Sequence, residues 1–335
     1  MRRRTLFLLA VLSLATGLVS VPLAAARPAG TQLSLVAYST PRDAYSALIP
    51  MFQKTPDGDG VSFTQSYGAS GDQTRAIIAG LKADVVELSL APDMDQLVRA
   101  GIVSPTWRQQ SYKGIVTDSV VVFVVRPGNP KHIKTWDDLL RKGVQVVTPN
   151  PFTSGGARWN VMAAYGSWRK QGRTDAQAQA NLLRLFRNVV VQDKSARDSV
   201  NTFLSGKGDV LLSYENEALG GQKRGQNLPY VIPKKTILVE NPIAVTKTSG
   251  NAAKANQFLR FLRTPAAQQV FADWGYRPVV PSVLAANRKK FPVRPGQFTI
   301  DQLGLGGWDK VQTRFFDPKA GIMARIERQV GGVTG

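Results

Sequence analysis

Apolar runs of strand length alternate with amphipathic stretches of helix length along most of this chain. The runs that predict strands occupy residues 33–38, 61–65, 85–90, 119–125, 144–148, 189–191, 210–214 and 243–246. The stretches that predict helices occupy residues 43–52, 72–80, 136–142, 157–170, 196–204, 252–263, 265–274 and 307–328. Because strands that alternate with helices build parallel sheets covered by helices, the pattern predicts an α/β fold with mostly parallel sheets.

The pattern changes after residue 243, where helices dominate. A chain that leaves one α/β domain, builds a second and returns to finish the first produces such a change. We therefore predict the first part of lobe 1 at 27–118, lobe 2 at 119–242, and the completion of lobe 1 with C-terminal helices at 243–335. A ligand site is expected in the cleft between the lobes, outside the carboxyl ends of the strands.

The N-terminal residues 1–26 have the composition of an export signal. Three arginines precede an apolar stretch at 6–18, and three alanines end at Ala26. The alternative is a membrane anchor, but serines, a glycine and a proline interrupt the stretch and make a poor spanning helix. We predict a signal peptide that is cleaved near Ala26, followed by an exported, soluble protein.

The chain contains no cysteine. Disulfides, thiolate metal sites and cysteine nucleophiles are therefore excluded. The cysteine that would carry a lipid anchor on an exported protein is missing as well. A protein that is free in a bacterial periplasm fits this composition best.

The formal charge is +20, and it falls to +17 without the three arginines at 2–4. Such a charge permits binding to nucleic acid or membranes. The basic residues are scattered, however, and no basic stripe interleaved with aromatic residues occurs. We interpret most of them as a solvated surface and expect no nucleic-acid partner.

The segment 148–160, with the sequence TPNPFTSGGARWN, contains the strongest candidate chemistry. Ser154, Gly155 and Gly156 follow a predicted strand at the point where a helix begins. Glycines allow close approach of the backbone, and the free N–H groups at a helix N-terminus attract anions. The alternative is an ordinary strand–turn–helix corner with Ser154 as its cap.

Three further corners have the same form. Ser39, Ser70 and the pair Ser195–Ala196 each lie between a predicted strand and a predicted helix. Each is by itself most simply a helix cap, but four such corners in two lobes are expected to converge on one cleft. N–H groups and hydroxyls donate hydrogen bonds to a fully deprotonated oxyanion such as sulfate, whereas phosphate retains a proton that needs an acceptor.

Several motifs resemble one known family. They are YSTPR at 38–42, QSYGASGDQ at 65–73, NPFTSGGARWN at 150–160, SAR at 195–197, NTF at 201–203 and GDVLLSYENEA at 208–218. The chain is thereby identified as similar to the periplasmic sulfate- and thiosulfate-binding proteins, the solute receptors of sulfate ABC importers. The resemblance implies a two-lobed type II periplasmic-binding fold, a monomer with a membrane permease as partner, and no cofactor or metal.

The resemblance also implies a set of ligand-binding residues. The donors to the anion are expected from Ser39, Ser70, Ser154, Gly155, Gly156, Ala196 and Tyr214. Members of the family have aspartate at the position of Ser39, where the contact is a backbone N–H. They have tryptophan at the position of Tyr214, where a phenol hydroxyl now replaces an indole N–H.

Two other classes of function are compatible with an exported chain of this composition. An exported enzyme would need an acid–base pair, for which Glu215 and Glu217 are candidates, or a triad that uses the single histidine, His132. We expect His132 on the surface and both glutamates solvated or paired, so no catalysis is predicted. A receptor for molybdate, tungstate or phosphate stays an alternative, and the sequence does not separate sulfate from thiosulfate.

Overall fold

The computed structural model describes residues 30–334. The predicted signal peptide at 1–26 lies outside the described residues. Within 30–334, no helix is both long and apolar enough to cross a membrane.

The strands and helices of the described residues follow one another in the predicted alternation. The strands are β1 (Gln32–Tyr38), β2 (Ser62–Gly68), β3 (Val85–Glu87), β4 (Ile115–Val125), β5 (Val146–Pro149), β6 (Val189–Asp193), β7 (Val210–Tyr214), β8 (Tyr230–Val231), β9 (Thr236–Val245), β10 (Arg277–Pro278) and β11 (Gln297–Phe298). The helices are α1 (Arg42–Gln53), α2 (Ser70–Ile78), α3 (Ala91–Arg99), α4 (Gly155–Lys170), α5 (Asp175–Arg187), α6 (Ala196–Leu204), α7 (Glu215–Lys223), α8 (Ala252–Leu262), α9 (Pro265–Asp273), α10 (Pro281–Ala286), α11 (Gly307–Phe316) and α12 (Ile322–Val330).

The main strands form a continuous sheet in the order β2-β1-β3-β9-β4-β7-β5-β6. The pairs β1–β2, β1–β3, β5–β6 and β5–β7 are parallel, which confirms the predicted α/β class. The two long strands β4 and β9 are antiparallel to each other and to their neighbours β7 and β3 in this order, whereas the short β11 pairs with β9 in parallel. The predicted lobe boundaries at 118/119 and 242/243 fall inside these two strands and stay a prediction.

Strand β9 begins seven residues earlier than the predicted strand at 243–246, since it starts at Thr236. The polar residues Glu240 and Asn241, followed by Pro242, interrupt the apolar pattern there. Pro242 pairs with Ile115 beside an irregularity in the register, a position at which the missing N–H of proline is tolerated.

The helix predicted at 307–328 is two helices, α11 and α12. The chain leaves α11 at Asp317, which has an extended backbone (φ −60°, ψ 124°) and precedes Pro318. A residue before proline is disfavoured in the helical conformation, so the helix ends there. The Asp317 Oδ1 then accepts the N–H groups of Lys319 and Ala320 and closes the turn.

Two large apolar clusters lie on the two halves of the sheet. Phe52, Phe258 and Phe271 join β1 to α1, α8 and α9 in one cluster. The other cluster surrounds α4 and also contains residues of α11 and α12, such as Phe315 and Ile326. The C-terminal helices thus share a core with residues of the range 119–242 and with Tyr38 and Leu90, and the assignment of 243–335 to lobe 1 stays a prediction.

Helices follow directly on the carboxyl ends of the parallel strands. This arrangement holds for β1–α1, β2–α2, β5–α4 and β6–α6. Because parallel strands present their carboxyl ends at a common edge, the N-termini of these helices collect at that edge. The candidate site lies there.

Candidate anion-binding site

The N-terminus of α4 is organised as the sequence predicts. Ser154 is the N-cap, and its Oγ accepts the N–H of Ala157 at 3.4 Å. The N–H groups of Gly155 and Gly156 have no acceptor among residues 30–334. Two donors at the positive end of a sixteen-residue helix are therefore free for a ligand.

Gly156 faces three other predicted site residues. A Cβ built on it would lie 3.3 Å from the Cβ of Ala196, 3.3 Å from the Oγ of Ser154 and 3.6 Å from the Oη of Tyr214. These four residues come from α4, its cap, α6 and the end of β7. The structure thus brings them together around one small volume.

Two glycines allow close approach between chain segments at this edge. A Cβ on Gly155 would overlap the Cδ2 of Leu90 and lie 2.7 Å from the Cβ of Ser89. A Cβ on Gly71 would lie 2.8 Å from the carbonyl oxygen of Thr153, which accepts the Gly71 N–H at 3.0 Å. Glycine at these two positions is required by packing.

Ser70 is placed differently from its prediction. The N-cap of α2 is Ala69, and Ser70 is the first helical residue, so the predicted role of Ser70 as a cap is wrong. Its Oγ donates to Asp93 Oδ2 at 2.7 Å and accepts the Ser89 N–H at 3.0 Å. The hydroxyl is therefore occupied, and the backbone N–H is the donor that Ser70 retains.

The N-terminus of α6 repeats the arrangement of α4. Ser195 is the N-cap, and its Oγ accepts the Asp198 N–H at 3.2 Å. The N–H of Ala196 has no acceptor within the described part of the chain. Ala196 thus belongs to a second helix terminus with a free donor, and its Cβ lies next to Gly156.

Ser39 lies at the rim of the same region. It is half-buried and lines a cavity of about 460 Å³ together with Tyr67, Ser195 and Arg197. The neighbouring Thr40 carbonyl accepts a hydrogen bond from Arg197 Nη2 at 3.1 Å. Ser39 is therefore near α6, whereas no contact joins it directly to Gly156.

Ser89 connects four parts of the site, and the sequence prediction missed it. Its N–H bonds to Ser70, its carbonyl accepts Trp159 Nε1 at 2.8 Å and Asn241 Nδ2 at 3.1 Å, and its Oγ lies 2.7 Å from the Oη of Tyr214. The residue was placed inside a predicted strand at 85–90, but β3 ends at Glu87. Like Ser39, Ser89 lies between the end of a strand and the start of a helix, and this position is the signal by which the sequence could have indicated it.

Four cations near the site are paired with carboxylates, whereas Arg42 lies over the ring of Tyr67. The pairs are Arg158–Asp93 at 2.9 Å, Lys194–Asp72 at 3.0 Å, Arg197–Asp43 at 3.2 Å, Arg197–Glu217 at 2.9 Å and Arg224–Asp43 at 2.6 Å. The three aspartates stand in the first turns of α1, α2 and α3. Because these four cations are already paired, the free hydrogen-bonding capacity consists of backbone N–H groups and hydroxyls.

Comparison with known proteins identifies the family. The model of the bacterial extracellular solute-binding proteins matches residues 33–277. The chain belongs to this family.

Individual relatives of this solute-binding protein are similar over nearly their whole length. It is 42% identical over 310 residues to the sulfate-binding protein of Synechococcus elongatus, covering 90% of this chain and 88% of the relative. It is 35% identical over 317 residues to the thiosulfate-binding protein of Pseudomonas aeruginosa, covering 91% and 94%. The solved structure of the sulfate-binding protein SubI from Mycobacterium tuberculosis matches with a TM-score of 0.82 and 43% identity, covering 86% of this chain and all of that one. The predicted periplasmic-binding-protein fold is confirmed.

Both glutamates considered for catalysis are buried and bonded to arginine in this solute-binding protein. Glu215 binds Arg277 Nε at 2.7 Å, and Glu217 binds Arg197 Nε at 2.9 Å. Burial raises the pKa of the Glu215 carboxyl, while Arg277 opposes the shift. His132 is exposed in the turn after β4, as predicted.

Tyr214 retains its proton in this environment. Burial raises the pKa of its phenol well above the usual value, because a phenolate would lose its hydration there. The hydroxyl is therefore a hydrogen-bond donor at any pH at which the protein functions. Among residues 30–334, no group of His, Cys, Asp or Glu side chains has the arrangement of a metal site.

Proposed function

We propose that this protein is the periplasmic receptor of an ABC importer, which binds sulfate or thiosulfate and delivers it to a membrane permease. The family and the names of its relatives support this assignment. The observation that carries it is the close approach of two helix N-termini: a Cβ on Gly156 in α4 would lie 3.3 Å from the Cβ of Ala196 in α6, and both termini have N–H groups without an acceptor in the described residues.

The proposed ligand contacts follow from the free donors. Backbone N–H groups of Ser70, Gly155, Gly156 and Ala196 and the hydroxyls of Ser154 and Tyr214 would bind the oxygens of the anion, with Ser39 at the rim. Each hydrogen bond to a charged group contributes about 1.5–3 kcal/mol, so several are needed to offset the dehydration of a dianion. Sulfate accepts at every oxygen and has no proton that needs an acceptor.

The same donor set supports binding without turnover. Glu215 and Glu217 each hold an arginine, and the hydroxyls of the site lack a neighbouring histidine that would activate them. We propose that the protein is not an enzyme, acts as a monomer and requires no cofactor. Hydrolysis of a sulfate ester or a phosphate ester by the purified protein would contradict this proposal.

We further propose that the hinge lies where the predicted boundaries cross β4 and β9. Strand β4 pairs with β9 over its first half and with β7 over its second half, so it spans both sides of the sheet. Residues 119–242 would then form the second lobe.

Calorimetric and thermal titrations test the central proposal. The exported protein is titrated with sulfate, thiosulfate, molybdate and phosphate. The N-terminal sequence of the same protein shows whether the signal peptide is cleaved near Ala26. We expect one-to-one binding of sulfate or thiosulfate and a higher Tm in their presence, since a ligand of the native state stabilises it. An unchanged Tm at millimolar concentrations of sulfate and of thiosulfate would refute the assignment. Tight binding of molybdate alone would identify molybdate as the ligand instead.

A further inference from the structure

The hydroxyls of Ser89 and Tyr214 form an isolated pair at the edge of the site. Their oxygens are 2.7 Å apart, and both residues are 1% exposed. Among residues 30–334, neither hydroxyl has another hydrogen-bond partner. The Tyr214 Oη also lies close to Gly156, where the free donors meet.

Counting hydrogens shows what this pair offers. Two hydroxyls carry two hydrogens, and the bond between them uses one. If Ser89 donates to Tyr214, the Tyr214 hydrogen is free, and this hydrogen is the one nearer Gly156. The pair therefore supplies one donor to the site, and the direction of the Ser89 bond decides which oxygen supplies it.

Ser89 is well placed to set that direction because its backbone is held from three sides. Ser70, Trp159 and Asn241 bind its N–H and carbonyl groups. The backbone of Ser89 thus has a fixed position, from which its Oγ contacts the Oη of Tyr214 at the end of β7.

On the basis of the proposed function, we propose that Ser89 is a positioning residue for the Tyr214 hydroxyl, and that the Ser89–Tyr214 pair makes this site prefer sulfate over thiosulfate. The two anions differ at one terminal atom, which is oxygen in sulfate and sulfur in thiosulfate. Sulfur is the larger atom and the weaker hydrogen-bond acceptor.

The location of the sulfur follows from the rigidity of the donors. The N–H groups of Gly155, Gly156 and Ala196 are fixed by their helices, and the Ser154 Oγ is held by the Ala157 N–H, whereas the Tyr214 hydroxyl rotates about its C–O bond. Thiosulfate would therefore place its sulfur at the hydroxyl pair, where it loses a charge-assisted bond and meets the Tyr214 oxygen. Removal of that oxygen relieves the steric conflict for thiosulfate and removes a hydrogen bond from sulfate, so the two affinities move closer together.

The test measures the affinities of sulfate and thiosulfate for Ser89→Ala, Tyr214→Phe and the double variant by calorimetry. In Tyr214→Phe, the ratio of sulfate affinity to thiosulfate affinity falls by about tenfold or more, the value of one hydrogen bond to a charged group. Ser89→Ala shifts the ratio in the same direction, and the double variant equals Tyr214→Phe, because Ser89 acts through Tyr214.

Ser213→Ala is the matched control. Ser213 precedes Tyr214 on β7, points to the opposite face, and its buried hydroxyl has no partner in the described residues. We expect this variant to leave the ratio unchanged.

The outcomes separate the inference from the proposed function. Wild type that binds neither anion refutes the proposed function itself. If wild type binds and the substitutions weaken the affinities for sulfate and thiosulfate equally, the proposed role in selectivity is overturned and the pair has only a structural role. Additive effects of the two substitutions overturn the positioning role of Ser89.

Discussion

A side chain at Gly156 is expected to abolish anion binding while the fold survives. The three nearest atoms to a Cβ at this position lie 3.3–3.6 Å away, a tight contact that small shifts relieve. Gly156 is also in the first turn of α4, where alanine restricts the unfolded chain more than glycine does. We therefore expect Gly156→Ala to keep or slightly raise the stability of the unliganded protein, by about 0.5 kcal/mol.

The loss of binding is large because the methyl group occupies the volume between Ala196, Ser154 and Tyr214. An anion displaced from this volume loses its bonds to the N–H groups of Gly155 and Gly156. Two bonds to a charged group contribute about 3–6 kcal/mol together, which corresponds to an affinity loss of about 10²–10⁴-fold. Gly156→Asp adds repulsion, and its own carboxylate takes the place of the anion at the free donors.

The assay combines calorimetric titration with sulfate and a thermal melt of each unliganded variant. Gly250→Asp is the matched control, because a Cβ at Gly250 meets no heavy atom within 4 Å and its φ is ordinary. Gly155→Ala serves as the contrast, since its Cβ overlaps Leu90 and should lower stability as well as binding.

Tight sulfate binding by both Gly156 variants would refute the reasoning and move the site elsewhere in the protein. Equal loss of binding in Gly250→Asp would show that the effect is one of charge rather than of position. A Gly156→Ala variant that melts far below wild type would show that the methyl disrupts packing instead of the ligand volume.

Three further predictions concern motion and pH. Because the proposed donors come from both predicted lobes, solution scattering should show a smaller radius of gyration with sulfate than without it, and an unchanged radius would confine the site to one lobe. Affinity for sulfate should change by less than about tenfold between about pH 5 and 8, because no histidine belongs to the site; a steep fall near the histidine pKa in a pH series of titrations would implicate His132. Burial raises the pKa of the Glu87 carboxyl from 4.5 to about 8, so its contribution to stability is full below pH 4.5 and is lost as the pH rises through 8. Glu87→Gln should therefore flatten the decline of the unfolding free energy between these pH values, by up to about 1.4 kcal/mol per pH unit. The measurement is urea unfolding at a series of pH values, and a variant whose unfolding free energy depends on pH as steeply as that of wild type would contradict this prediction.

The strand–helix corners were predictable from the sequence because their signals are local. A serine between an apolar run and an amphipathic stretch marks a cap, and Ser154 and Ser195 are caps in the structure. Strand direction was less accessible, since β4 and β9 are antiparallel to their neighbours β7 and β3 although their apolar patterns resemble those of the parallel strands.

The residues that the sequence did not indicate act over long distances along the chain. Ser89 meets Tyr214 from 125 residues away, and Arg197 meets Asp43 from 154 residues away. No spacing rule within one element reports such contacts. The role of the Ser70 hydroxyl was missed for the same reason, because its partner Asp93 lies in the next helix.

Four of the five ion pairs near the site join the ranges predicted for the two lobes with the same polarity, and the fifth, Arg197–Glu217, lies within the range predicted for the second lobe. The carboxylates of Asp43, Asp72 and Asp93 belong to the range predicted for the first lobe, and their cationic partners belong to the range predicted for the second. Except for the buried pair Arg158–Asp93, these pairs are partly exposed, contribute little each, about 0–1 kcal/mol, and are screened by salt. If the two ranges are separate lobes, their common polarity would nevertheless attract them to each other in the empty receptor, independently of cargo. Because salt screens these ion pairs, a larger fraction of the empty receptor would be closed at low ionic strength than at high ionic strength. The ionic strength outside the cell would therefore influence how often a closed receptor without ligand binds the permease.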